Sequence, residues 1–216
     1  MTTLAARSRA TSGPLSRLGD YRDDGPLART VGRASGAVPI PAAVLTVLSA
    51  LPLIAVLAID GDDLPALGAA VAWAVIAGGL ASGRPDSGRF AWTVPTLLRL
   101  LEYGTLLAFA VLAGPQAVPF CFALVAALAF HHYDVVYRLR HQGAAPPVWL
   151  SRAGGGWDGR MAVAYILLLI GAVSTGFLVA AIALAAVYVS ESTVSWLRFS
   201  QPRRPAQYDD EEDEDD

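Results

Sequence analysis

Apolar runs recur along the chain at roughly 38–59, 64–81, 94–113, 116–133 and 161–190. Most are about 18–22 residues long, the helix length that spans about 30 Å of hydrocarbon at about 1.5 Å per residue. The last run, extended to Phe199, would make one helix of nearly ~60 Å, too long for a single span. Gly171, Ser174, Thr175 and Gly176 supply a break, so two helices joined by a tight turn are expected, and six spans in all. A soluble helical bundle would carry polar faces that these runs lack.

The connections test this reading, because cytoplasmic loops collect Arg. Six Arg precede the first span (Arg7, Arg9, Arg17, Arg22, Arg29, Arg33). The first loop holds Asp60, Asp62 and Asp63 and no Arg, and the second holds Arg84 and Arg89. The third and fifth are uncharged, whereas the fourth has Arg138, Arg140, Arg152 and Arg160, and the C-terminal side has Arg198, Arg203 and Arg204. Basic and non-basic ends alternate without exception. The expected fold is therefore all-α, a polytopic protein of the inner (plasma) membrane with six transmembrane helices and both termini cytoplasmic. Trp92, Trp149, Trp157 and Trp196 fall near the cytoplasmic ends, as interfacial anchors do. A short amphipathic helix is expected near Pro26–Ala34 on the cytoplasmic surface, with Asp24 or Gly25 as its cap. Residues 1–20 and the tail 200–216 are expected to be disordered on either side of a transmembrane domain over 21–199.

Composition changes this picture in one respect. The formal net charge is −3, but eight of the 19 acidic residues are Asp209 to Asp216, which leaves 11 against 16 Arg over the rest. The body of the chain is cationic, and there is no Lys. The single Cys121 lies within an apolar run, so neither an intrachain disulfide nor a Cys-rich metal site is expected. No cleavable signal peptide, nucleotide-binding pattern, nucleic-acid partner or recognised metal-ligand spacing is evident, and no cofactor is assigned.

Polar residues gather at one depth. "AFHHYDVVYRLRHQ" (129–142) puts His131, His132 and Asp134 on the apolar side of its arginines. His131, Asp134, Arg138 and His141 share a helical stripe, and Asp134 and Arg138 can pair at i,i+4. Arg99 and Glu102 lie about 10 and 15 Å into the third span, where ionisable groups cost at least ~2.5–3.5 kcal/mol each unless paired. Glu191 in the sixth span is expected to pair with Arg99 or Arg160. Asp158 is a candidate N-cap in the Gly-rich "GGGWDGR" helix start. Two readings stay open. One is a structural ion-pair network. The other is a cytoplasm-facing cavity for a phosphorylated lipid, with His131, Asp134, Glu102 and Glu191 as candidate catalytic groups and Arg99, Arg138 and Arg160 as candidate phosphate ligands.

Two resemblances bear on function. "DGPLAR" (24–29) resembles part of the signature of CDP-alcohol phosphotransferases, six-span enzymes that use four aspartates and divalent metal. The signature's remaining positions fall on Tyr21, Val38, Ala42 and Thr46, so its metal site is not reproduced. More extensively, "DDGPLAR", "LLRLLEYG", "HHYDVVYRLRHQG" with the following "APP" and "WL", and "GWDGR" resemble an actinobacterial multi-pass membrane domain of unknown function, over most of 20–198. That domain often occurs behind a CDP-alcohol phosphotransferase domain. The resemblance implies a role in phospholipid or cell-envelope lipid assembly, with membrane lipids and a CDP-alcohol phosphotransferase as partners. It transfers no catalytic residues. The rival expectation is an enzyme acting on a phosphorylated lipid or lipid precursor.

Overall fold

A computed structural model describes residues 18–34, 39–84, 89–141, 143 and 146–200. The expected disorder of residues 1–17 and 201–216 lies outside the described residues.

Every regular element among the described residues is helical. Two short helices open the chain, α1 (Leu18–Arg22) and α2 (Pro26–Ala34). Then come α3 (Ala42–Ile59), α4 (Leu64–Ser82), α5 (Thr93–Ala113), α6 (Val118–His141), the short α7 (Val148–Ala153), α8 (Gly156–Leu169) and α9 (Val173–Ser200). α2 occupies the segment expected to be amphipathic, and α1 begins at Leu18, inside the stretch expected to be disordered.

Five helices, α3, α4, α5, α6 and α9, are long and apolar enough to cross a membrane. Their outward faces carry large apolar side chains that no protein covers: Ile54 is 59% exposed, Phe122 61% and Ile182 63%. In water such surface would be costly, and in hydrocarbon it is solvated. The long apolar run divides where expected, at 170–172, with Gly171 at φ 68. Ser174, Thr175 and Gly176 are not part of that break. They already belong to the first turn of α9. α8 has 14 residues and measures about 21 Å, shorter than the hydrocarbon. That is why the candidate spans by length number five and not six.

The core is where α4, α5, α6, α8 and α9 meet, around Leu67, Leu98, Leu106, Phe109, Leu128 and Trp157, all fully buried. Along α4 the interior positions include Ala70, Ala74, Ala77, Gly78 and Ala81, small residues that let neighbouring helices approach closely. Asp63 caps α4, accepting from the Ala66 amide at 3.0 Å, with Pro65 in the first turn.

Candidate functional site

Charged side chains converge at one end of the bundle. Glu102 on α5 is fully buried and accepts from two cations, Arg99 Nη1 at 2.9 Å and Arg160 Nε at 2.5 Å. Arg160 on α8 spends its other nitrogens on the Gly154 carbonyl (3.0 Å) and on Asp23 Oδ2 (2.8 Å). Arg99 donates onward to the carbonyls of Tyr21 (3.0 Å) and Arg22 (2.8 Å), at the C-terminal end of α1, where a cation satisfies free carbonyls. Asp23 also meets His132 Nε2 at 3.4 Å, and His132 Nδ1 meets the Tyr103 hydroxyl at 2.6 Å. Two arginines thus face two carboxylates, and this first web is neutral. Burial by itself raises the Asp23 carboxyl, but Arg160, the His132 hydrogen bond and Arg99 outweigh it and hold the group far below the usual carboxylate range.

A second web joins α6 to α9. Arg138 reaches Asp134 Oδ2 at 2.7 Å on its own helix and grips both oxygens of Glu191, at 3.0 and 2.5 Å. Asp134 also accepts from Ser192 Oγ at 2.8 Å and from Trp196 Nε1 at 3.4 Å. Two acids here share one cation. His131 is buried beside the first web, its ring 5.5 Å from that of His132 and stacked on Tyr188 at 4.1 Å between centroids.

The third cluster fastens the N-terminal segment. Asp24 accepts from Arg22 Nε at 2.8 Å and from the Trp157 indole at 2.9 Å, and Arg22 Nη1 reaches the Ala81 carbonyl at 3.1 Å. The Asp158 carboxylate accepts from the amides of Gly25 (2.6 Å), Leu27 (3.0 Å) and Ala28 (3.0 Å). Asp158 therefore does not cap its own helix. It caps α2, while Gly155, with φ 75 and no side-chain bond, occupies the α8 N-cap. The glycines here serve contact: a Cβ on Gly156 would run into the Gly25 backbone. With φ 65 at Gly156, two strands of backbone pass where no side chain fits.

The blocks 23–29, 97–104, 131–134 and 156–160, far apart in sequence, are thus one constellation in space. The model of a family of unknown function (DUF5941) matches residues 13–214. The chain belongs to that family. The match spans the region over which the resemblance to a multi-pass domain of unknown function extends. No curated protein and no solved structure matches this DUF5941 chain.

Measured against the sequence, Arg99 pairs with Glu102, three residues along its own helix. Glu191 pairs with neither Arg99 nor Arg160 but with Arg138, because α9 packs on α6 with those residues face to face. The single mouth expected for His131, Asp134, Arg138 and Arg160 divides in two: Arg160 belongs to the first web and Arg138 to the second. His132, the neighbour of the residue singled out, enters the first web. Asp23, Arg22 and Tyr103 were not anticipated; Asp24 was expected only as a cap of α2, and Trp157, expected as an interfacial anchor, is fully buried and donates to Asp24. The signal for Asp23 was charge balance: Arg99 and Arg160 beside one Glu102 leave a cation that must find another acid. Among the described residues no three His, Cys, Asp or Glu side chains gather as metal ligands.

Two hollows adjoin these webs. An open cleft of about 920 Å³ lies between α7 and α9, with Arg138, Glu191, Trp149 and Arg198 in its walls. A narrower apolar slot of about 230 Å³ lies beside α8 and α9, with Arg160 and Gly154 in its walls.

Proposed function

We propose that this DUF5941 protein is a six-crossing protein of the plasma membrane, with both termini cytoplasmic, that serves as a non-catalytic partner of a CDP-alcohol phosphotransferase in phospholipid or cell-envelope lipid assembly. The observation that carries this reading is the mutual neutralisation of the buried charges of the first web. Glu102, Arg99, Arg160 and Asp23 are consumed by one another and by backbone carbonyls, as expected of a frame that holds a surface in shape. The alternation of Arg-rich and Arg-free connections supports the topology. α8 serves as the sixth crossing, its short length accommodated by local thinning of the bilayer. Recognition of the phosphotransferase rests on the sequence resemblance. Tagged protein purified from native membranes tests it: a CDP-alcohol phosphotransferase is expected in near-stoichiometric amount, and a deletion strain is expected to show an altered phospholipid profile. Purification without that enzyme, together with an unchanged profile, removes the proposal. Topology is read by labelling Gly61→Cys in a Cys121→Ser background, expected from outside intact cells.

A second reading is favoured by the open cleft beside Arg138 and Glu191. In it the chain is an enzyme acting on a phosphorylated lipid from the cytoplasmic side, with His131, Asp134, Glu102 and Glu191 as the candidate groups. Single variants separate the two readings. An enzyme loses turnover in a folded protein, whereas a frame loses stability or assembly.

A further inference from the structure

The stripe Phe177, Ala180, Leu184, Val187, Glu191, Val194 and Arg198 repeats at spacings of three and four, so these residues share one face of α9. Phe177, Ala180 and Leu184 wall the apolar slot, and Val187, Glu191, Val194 and Arg198 wall the open cleft. The two hollows therefore follow one another along a single helix face. From Arg198 to Leu184 the helix rises about 21 Å, which matches half of the ~40–45 Å bilayer with its headgroups. Polarity is graded in the same direction: the slot is apolar, and the cleft adds the hydroxyls of Ser190 and Ser195, the indole of Trp149 and two guanidiniums.

Charge decides the occupant. Of the three ionised residues in the cleft wall, Arg138 is already engaged, by Glu191 through a two-point contact and by Asp134 on its own helix. Arg198, two helical turns nearer the chain's Arg-rich end, pairs with no carboxylate among the described residues and is exposed. Trp149, 52% exposed, stands opposite α9 as an indole at a headgroup boundary does. A guanidinium with no carboxylate partner among the described residues, at the polar end of an apolar groove, is complementary to a phosphate carried on an acyl chain.

We propose that this face of α9 holds one anionic glycerophospholipid of the cytoplasmic leaflet, its phosphate on Arg198 and an acyl chain running down past Val194 and Val187 toward Leu184. The site rests on the cytoplasmic placement of the Arg-rich ends and is independent of any phosphotransferase. A cleft of about 920 Å³ is at the upper end of the range for small-molecule sites, large enough for a headgroup with the start of its chains.

The test uses the full chain in phosphatidylcholine vesicles doped with phosphatidylglycerol or phosphatidylcholine bearing brominated acyl chains. Quenching assigned to Trp149, by difference from Trp149→Phe, is expected at about fivefold lower mole fraction of the brominated phosphatidylglycerol, the preference one partly exposed ion contact supplies. Arg198→Gln, a change at an exposed position, is expected to abolish the preference. Arg140→Gln, exposed on α6 and outside the cleft, is expected to retain it. Ala180→Phe, which fills the slot, tests the chain path: native mass spectrometry is expected to show fewer retained lipids in a protein with unchanged helix content. Equal quenching by both lipids, or a preference that survives Arg198→Gln, overturns the site. Displacement by soluble glycerol 3-phosphate as effective as by the lipid would mean that the phosphate alone is bound, and overturns the lipid assignment. Co-purification of a phosphotransferase is unaffected by any of these outcomes, so the two proposals fail separately.

Discussion

Replacing Glu102 by Gln removes the only carboxylate among the described residues that bonds both Arg99 and Arg160, at 2.9 and 2.5 Å. The first web then changes from neutral to one net positive charge in a position with no access to water. Arg160 keeps Asp23 and the Gly154 carbonyl, and Arg99 keeps two carbonyls of α1, so neither guanidinium is left bare. Breaking a buried pair by removing one partner costs about 3–5 kcal/mol, and the retained contacts together with the Gln carbonyl place Glu102→Gln near the lower figure, about 3 kcal/mol. Arg160→Met leaves the opposite imbalance, with Glu102 and Asp23 against Arg99 alone, at about 3–5 kcal/mol. Combining the two restores neutrality. The double variant is therefore expected to be more stable than the sum of the single losses by at least about 2 kcal/mol. Unfolding of the purified protein by SDS in mixed micelles, followed by tryptophan fluorescence, reads all four corners of this cycle. Additive losses would refute the reasoning, and so would single variants within about 1 kcal/mol of the native protein.

In the second web, where two acids share Arg138, Glu191→Gln relieves an excess negative charge and should cost less than Arg138→Gln, which strands both acids; the same titration ranks them. Asp158→Ala withdraws the acceptor from three amides at the start of α2, at about 1–2 kcal/mol for a lost cap, and hydrogen exchange at Gly25, Leu27 and Ala28 should accelerate while the interior of α5 stays protected. Asp23 has a folded-state pKa depressed below its ordinary 3.8, so its contribution is fully present above that value and is lost as pH falls beneath it toward the folded one. The stability gap between the native protein and Asp23→Asn should stay constant from pH 7 to 5 and narrow only below about 4.

Much of the helical layout was readable because hydrocarbon imposes a length: runs of about 20 apolar residues have few alternatives. The break at Gly171 and the helix at Pro26 follow from equally local signals, a glycine that tolerates positive φ and a proline suited to a first turn. The short contacts within one helix were also legible, Arg99 with Glu102 and Asp134 with Arg138, because helical spacing fixes them. Partners across helices were not. Whether Glu191 meets Arg99, Arg160 or Arg138 depends on the rotation of α9 about its axis, and a face apolar nearly all round gives no moment from which to read that rotation. The fold-back of Asp23 and Asp24 onto α8 was hidden for a different reason. A juxtamembrane segment with a helix start looks the same whether its cap comes from its own Asp24 or from Asp158, 133 residues along the chain from Gly25.

That separation has a consequence for how the protein is made. Asp23 leaves the ribosome 137 residues before Arg160, its ion-pair partner. At about 5–20 residues per second, the interval is roughly 7 to 27 s. Through that interval Arg99 and Glu102 have no Arg160, and the segment that will close over them has no anchor on α8. Seating it becomes available only once Trp157, Asp158 and Arg160 have been synthesised. A chain truncated before α8 would keep α3 to α6 and lose, along with α9, the clamp that holds its own N-terminal segment.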